Sequence, residues 1–332
     1  MMVYYIDTHS VDAAFNFAFE EYCMRHFTGD YKIVSVWQAE NCVMLGQYQI
    51  AQNEINEAFR DTLKPRVVRR ATGGGTIYTD MGTLLFSVIM PFNERADMEF
   101  TKICAPFAEA LNDIGVPAVL GGRNDMLIGD RKISGSAQVI KNGCLCMHGS
   151  LMYNTDLDAL TGILRADDGK IKSKAKRSMR SMVTNIADHI ADPPPIGIFR
   201  DRFLNAVMAR EIGETRAYVL TQADISEIMT IKNTKYDAWE WNFGSAPPFN
   251  FENEMRFPMG KLNIGLDIQS GVIKRCALRG DFLGVTDITP LEIALTGCAF
   301  DHASVEARIG GIDLWPYLRG ISSEQVLKLM FG

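Results

Sequence analysis

Two turn dipeptides in close succession constrain this chain more than any other feature. Gly129-Asp130 separates "NDMLI" from "RKISGSAQVI", and Asn142-Gly143 separates that run from "CLCMHGSLMYN". Asn-Gly suits the left-handed backbone that a two-residue hairpin turn needs. Three such runs, joined in this way, predict a meander of three antiparallel strands. Direct parallel pairing is excluded here, because parallel neighbours need a long crossover. Side chains alternate along a strand. Cys144, Cys146 and His148 are therefore expected on one face. In the run before, Lys132, Ser134 and Ser136 are expected on one face, with Ile133, Gly135 and Ala137 on the other.

Elsewhere the periodicity changes. Phe15, Ala18, Phe19 and Tyr22 predict an amphipathic helix over 11–27. "KIVSVWQ" and "CVMLGQYQ" read as strands. "RVVRRATGGGTIYTDMGTLLFSVIMP" reads as a strand, a glycine loop and two more strands that turn at Asp80-Met81-Gly82. Helices are predicted over 99–115, faced by Ile103, Phe107, Ala110, Leu111 and Ile114, and over 196–210, faced by Phe199, Phe203 and Val207. The intervening stretch 155–195 is basic and loop-rich.

"WNFGSAPPFN" (241–250) interrupts an aromatic cluster with Gly and two Pro, which marks a boundary and a hinge. The expected domains are 1–245 and 246–332. The second should hold the strands "MGKLNIGLDIQSG" and "VIKRCALRGDF". It should also hold a helix opened by Thr289 and Pro290 and stopped by Gly297, and a last helix from Ser322. Hairpin-joined strands outnumber helical crossovers. The expected fold class is α+β, a mixed or antiparallel sheet with packed helices.

At 332 residues the chain is too long for one ordinary core, which agrees with two domains. Its 47% apolar and 22% charged residues fit a soluble globular protein. A net charge of −6 argues against a general nucleic-acid surface. No apolar stretch approaches the roughly 20 residues that span a bilayer, and the N-terminus lacks the pattern of a signal peptide. The seven cysteines are odd in number, scattered, and without a C-x-x-C, which argues against a disulfide framework or a zinc site. The expected compartment is the cytoplasm, with no membrane partner.

Chemistry concentrates in "RRATGGGTIYTD" (69–80). Three glycines let the backbone approach a ligand closely, and their N–H groups can face a phosphate or carboxylate. Arg69 and Arg70 alternate across a strand, so at most one is expected toward a given ligand, with the other on protein. No Gly-Lys-Ser/Thr follows, so this is not a P-loop. By itself the triplet also fits a tight turn with solvated arginines. Lys132 stands among small residues just after a hairpin turn. It can act as a point charge on a phosphate or polarised carbonyl, or simply sit in water. On the preceding strand Asp125 suits Mg2+ or a ribose hydroxyl, or caps a loop.

"RRATGGGTIYTDMGTLLFS", "NDMLIGDRKISGSAQ" and "HGSLMYNTDLDAL", in this order, resemble the lipoate–protein ligase family. "SMRSMVTNI" (178–186) resembles a later family segment. "WNFGSAPPFNF" and "GVIKRCALRGDF" resemble the family's small C-terminal accessory domain. The resemblance covers almost the whole chain. It implies the biotin/lipoate ligase catalytic fold with an α+β accessory domain, and a two-step reaction. Lipoate and ATP form lipoyl-AMP, and the lipoyl group then passes to a lysine of an acceptor. The acceptor would be a lipoyl domain of a 2-oxoacid dehydrogenase or a glycine-cleavage carrier protein.

By the same resemblance Lys132 is the catalytic cation and also contacts lipoate. Arg70 and the backbone of Gly75, Thr76, Ile77 and Tyr78 hold the nucleotide, with Asp125 beside ATP and Mg2+. Trp37 and Gly74 belong to the lipoate pocket. His148 either orients groups near the acyl chain or is a satisfied strand histidine. The chain departs from many members at Thr79 and Thr83, where His and Asn are common.

Three alternatives stay open. An ATP-independent octanoyl or lipoyl transferase would need a cysteine just before the lysine hairpin, where "VPAVLGGRNDML" has none. A biotin ligase carries a different glycine–arginine loop. A non-catalytic lipoate-binding protein would keep the pocket alone.

Overall fold

The expected meander lies in the middle of a larger sheet. The structure, a computed structural model, describes residues 2–27, 29–49, 51–121, 124–164, 182–243, 249–269 and 271–331. Residues 165–181 of the basic stretch and residues 244–248 of the expected hinge, with the boundary at 245/246, lie outside these residues.

Among the described residues eleven strands precede position 218. They are β1 (Met2–Tyr5), β2 (Tyr31–Gln38), β3 (Cys42–Leu45), β4 (Arg66–Arg69), β5 (Ile77–Thr79), β6 (Thr83–Pro91), β7 (Val119–Gly121), β8 (Asp125–Ile128), β9 (Arg131–Lys141), β10 (Cys144–Met152) and β11 (Glu214–Ala217). Eight form one mixed sheet in the order β11-β1-β2-β6-β10-β9-β8-β7. The meander β8-β9-β10 is antiparallel throughout. Asn142 (φ 53°) and Gly143 (φ 73°) both adopt positive φ, the backbone their residue types favour.

The strands flanking the glycines part company. β3, β4 and β5 form a separate three-stranded sheet in the order β4-β3-β5. The chain turns at Asp80–Thr83 as expected, where Thr83 N–H donates to Asp80 O at 2.9 Å. β6 then enters the large sheet, so the two strands around this turn do not pair.

Helices cover both faces of the large sheet. On one side α2 (Phe100–Asp113) and α3 (Ile196–Ala209) bury Phe107, Leu111, Phe199, Phe203 and Val207 against Val34, Phe86 and Met147. Truncating a buried phenylalanine of this kind costs about 3–5 kcal/mol. On the other side lie α1 (Ala13–His26), α4 (Gln222–Ile231) and a turn of π-helix at Lys232–Tyr236. Asp12 caps α1 by accepting from Ala14 N–H (2.9 Å) and Phe15 N–H. α1 is sandwiched, so it buries Asn16, Glu20 and Glu21 as well as its apolar stripe.

Past residue 250 a second core forms. β12 (Phe251–Phe257), β13 (Gly260–Gln269) and β14 (Val272–Gly280) make an antiparallel sheet. β13 and β14 are the two expected strands; β12 is an addition. The expected helix runs over Thr289–Leu295 with Pro290 in its first turn, and the last over Ser323–Phe331. Leu262, Ile264, Leu278, Leu291, Leu295 and Leu329 fill the space between them, and Tyr48 of the first core joins this cluster. No helix is long and apolar enough to cross a membrane among the described residues.

Candidate functional site

Both arginines of "RRATGGGTIYTD" are buried, and neither is solvated. Arg69 gives its guanidinium to the carbonyls of Gly46, Gln49, Trp241 and Asn242, at 2.6–2.9 Å. Arg70 donates through Nε to Thr72 Oγ1 (2.9 Å), through Nη1 to Met44 O (2.9 Å), and through Nη2 to Gly73 O (2.9 Å) and Gly75 O (2.6 Å). A guanidinium has five N–H groups. Four of those on Arg70 are committed, so one hydrogen on Nη1 is left. Arg69 pairs only with protein, whereas Arg70 shapes the glycine loop from inside and also lines the cavity described below. Burial lowers both to about 10, which leaves them charged at neutral pH. The loop thus sits on two cations held largely by backbone carbonyls.

Gly74 has φ 89°, where a side chain would be strained. A Cβ on Gly75 would meet nothing within 4 Å, so that position is open. A Cβ on Gly46 would fall on the Gly74 carbonyl, so the two backbones are in van der Waals contact.

The alternation expected around Lys132 is corrected. The β8–β9 register shifts between Met126 and Leu127, which face Ser134 and Lys132 respectively. Ile133 is the extra residue of a β-bulge. Such bulges bend a strand and re-aim a side chain. Lys132 consequently lies over Gly135, where a Cβ would stand 3.1 Å from its Nζ. It shares a face with Gly135 and Ala137, not with Ser136, whose hydroxyl lies 3.8 Å from Cys104 Sγ. Lys132 Nζ stands 2.7 Å from Asp125 Oδ1. The contact is ionic, and its angle leaves Oδ1 without a well-directed hydrogen bond. The main chain of Lys132 is clamped by Met182 O (2.8 Å) and Thr184 N–H (3.0 Å).

These elements enclose a cavity of about 250 Å³. Its walls include Trp37, Arg70, Gly74, Gly75, Thr76, Ile77, Lys132 and His148. Phe17, Met44 and Leu85 supply further apolar surface, and Asn124 and Ser150 polar surface. The structure does not bring Tyr78 to this cavity. Its ring is buried with Val43, Leu45 and Ile55, and its main chain pairs with Val43. Asp125 reaches the cavity edge only through Lys132. Thr79 and Thr83 do not line the cavity either; Thr83 Oγ1 bonds Thr155 Oγ1 at 2.7 Å.

His148 is both satisfied and part of the wall. Its Nδ1 lies 2.9 Å from Glu20 Oε2, and its Nε2 lies 2.8 Å from Thr72 Oγ1. Glu20 also accepts from Ser87 O–H, and Ser87 Oγ accepts from Trp37 Nε1–H at 3.3 Å. Cys146 completes the cluster with Glu20 and His148. Burial and the Glu20 charge push the Cys146 thiol well up, so it stays protonated. Glu20 and Thr72 were missed by the motifs. Glu20 falls off the stripe Phe15, Ala18, Phe19 and Tyr22, so helical periodicity gave no signal for it.

The second core closes the cavity. Asp281 and Leu283 line it. Phe282 O accepts from Gly74 N–H at 3.1 Å, and Phe282 stacks on Tyr48 (centroids 4.8 Å apart, 7° between planes).

Comparison with known proteins places this architecture. Residues 12–208 match the model of the lipoyl protein ligase A/B catalytic domain, and residues 246–330 that of the bacterial lipoate protein ligase C-terminus. Lipoate–protein ligase 1 of Staphylococcus aureus is 35% identical over 99% of this chain and all of its own length. The chain belongs to the lipoate–protein ligase family. Among solved structures, P. falciparum LipL1 in complex with lipoate shares the fold (TM-score 0.77, 19% identity, 94% of this chain and 95% of that one). So does a bipartite ligase of Thermoplasma acidophilum, described with its E2 lipoyl domain (TM-score 0.66, 25% identity, 76% and 100%). As in other lipoate–protein ligases, the fold is a mixed α+β one with a large mixed sheet.

Proposed function

We propose that this chain activates lipoate with ATP and transfers the lipoyl group to a lysine of an acceptor protein. What carries the reading is a single cavity lined both by aromatic and aliphatic side chains and by an ammonium and a glycine backbone. The apolar part, with Trp37, suits an aliphatic tail and dithiolane ring. The polar part, with Lys132 and Gly74–Ile77, suits a carboxylate and an α-phosphate.

In the first step a lipoate carboxylate oxygen attacks the α-phosphorus of ATP. The bond to the bridging oxygen breaks, and pyrophosphate leaves with its electron pair. In the second step the acceptor lysine's amine attacks the acyl carbon. AMP leaves on the C–O bond, and the amine gives up a proton. Lys132 exchanges Asp125 for the acyl and phosphate oxygens and offsets charge in both steps. Arg70 keeps the loop carbonyls turned inward. Mg2+ accompanies the nucleotide. One carboxylate, Asp125, together with phosphate oxygens and water is a donor set that suits this ion. The ion would neutralise phosphate charge.

Residues 1–245 would form the catalytic domain and 246–332 the accessory domain. The acceptor would be a lipoyl domain, as in the archaeal pair, or a glycine-cleavage carrier protein. Seven free cysteines fit a cytoplasmic setting. Transfer through a cysteine is disfavoured, since Cys104 is buried on the opposite face and raised to about 11 by that burial. The test is exchange of labelled pyrophosphate into ATP. Exchange that needs lipoate and ignores biotin supports the ligase. No exchange with lipoate overturns it.

A further inference from the structure

A buried hydrogen-bond chain ties the acyl side of the cavity to the glycine loop. Glu20 holds His148 Nδ1 at 2.9 Å, and His148 Nε2 meets Thr72 Oγ1 at 2.8 Å. Thr72 Oγ1 accepts from Arg70 Nε–H at 2.9 Å, and Arg70 grips the carbonyls of Gly73 and Gly75. Thr72 is 1% exposed, so water cannot substitute for its partners.

One arrangement of hydrogens satisfies every member of this chain of bonds. Arginine only donates, and an ionised carboxylate only accepts. In that arrangement Thr72 spends one lone pair on Arg70 and gives its hydrogen to His148 Nε2. Glu20 then takes the hydrogen of Nδ1. Every polar atom of the chain of bonds is paired when Nδ1 carries its hydrogen and Nε2 accepts. A hydrogen on Nε2 would face a hydroxyl whose own hydrogen then has no acceptor within this chain of bonds.

We propose that Thr72 is a positioning residue for adenylate formation. Its hydroxyl is the joint between His148, which walls the acyl pocket, and Arg70, which shapes the nucleotide cradle. The two halves of the cavity are thereby held in register. This rests on the ligase reading. Loss of the joint lets the reacting carboxylate and α-phosphate drift, and an offset near 1 Å costs on the order of a hundredfold in rate.

The test compares Thr72→Val, which keeps shape and deletes the hydroxyl, with Thr72→Ser, which keeps it. In lipoate-dependent pyrophosphate exchange, kcat should fall on the order of a hundredfold in Thr72→Val, with KM for lipoate little changed. Thr72→Ser should restore it. Nitrogen NMR of labelled histidine, assigned with His148→Gln, should show the Nδ1-protonated ring in the wild type and a mixture in Thr72→Val. Wild-type kcat in Thr72→Val, equal loss in Thr72→Ser, or an Nε2-protonated wild-type ring overturns the proposal. Should Thr72→Val fail to fold, Thr72→Ala takes its place under the same criteria. A wild type without any exchange overturns the ligase reading and the kinetic role with it, whereas loss confined to the variants bears on Thr72 alone.

Discussion

The Lys132 ammonium is 39% exposed and has one carboxylate beside it. A pair this open is worth about 0–1 kcal/mol, so a phosphate or acyl oxygen can replace Asp125 at little cost. Lys132→Ala should therefore lower lipoate-dependent exchange by about 10²–10³ while thermal unfolding barely moves. Unaltered exchange would remove Lys132 from the mechanism. Glu21 is the opposite case. It is 1% exposed and receives Arg25, Lys141 (2.8 Å), Lys235 (2.7 Å) and Tyr236 O–H (3.0 Å). Burial alone would raise its pKa, but Lys235 and Lys141 outweigh burial and hold it well below the carboxylate range. Burial in turn lowers Lys235, with Glu21 opposing. A depressed folded-state pKa gives stability that is full above the unfolded value, about 4.3, and lost as pH falls toward the folded one. Glu21→Gln should lose about 3–5 kcal/mol near neutral pH. The gap to wild type should be flat from neutral pH down to about pH 5 and close below the unfolded value. Melting curves across pH check this, and a gap that widens in acid would refute it.

At the scale of elements, the glycine loop depends on a contact outside its own motif. Gly46, at the end of β3, has no room for a Cβ because the Gly74 carbonyl occupies that space. Gly46→Ala should push the loop off its arginine clamp, with a loss of exchange exceeding tenfold. Normal exchange and an unchanged melting temperature would show that the loop tolerates displacement. How much the sequence revealed depends on how locally each element is determined. The turn at Asn142-Gly143 and the stripe Phe199, Phe203, Val207 are set by neighbouring residues, and both were legible. The Ile133 bulge was not, because one inserted residue leaves no compositional mark yet reverses the side assigned to Lys132. The assignment of β3 and β5 to their own sheet was hidden too, since pairing is a long-range choice. For the cavity, Trp37, Lys132, His148 and the glycines were legible from family motifs. Asp281 and Leu283 were not, because they arrive from a distant part of the chain.

Over the whole molecule, the two cores meet beside the cavity. Tyr48 stacks on Phe282 and donates to Thr286 O. Arg319 donates to Gln138 Oε1 (2.8 Å) and Met98 O (2.8 Å) and lies over the Phe100 ring. An aromatic pair adds about 0.5–1.5 kcal/mol beyond its burial, and Leu283 and Val285 are buried in the first core beside it. Combining Tyr48→Ala with Arg319→Ala should enlarge the radius of gyration of the ligand-free protein in small-angle scattering. An identical scattering curve would mean that other surfaces hold the two cores together. The bond from Gly74 N–H to Phe282 O carries a further consequence. One amide hydrogen serves a single strong acceptor at a time, so an incoming anion and the Phe282 carbonyl are rival claimants. A single backbone resonance, that of Gly74, would thus report occupancy and interdomain geometry together.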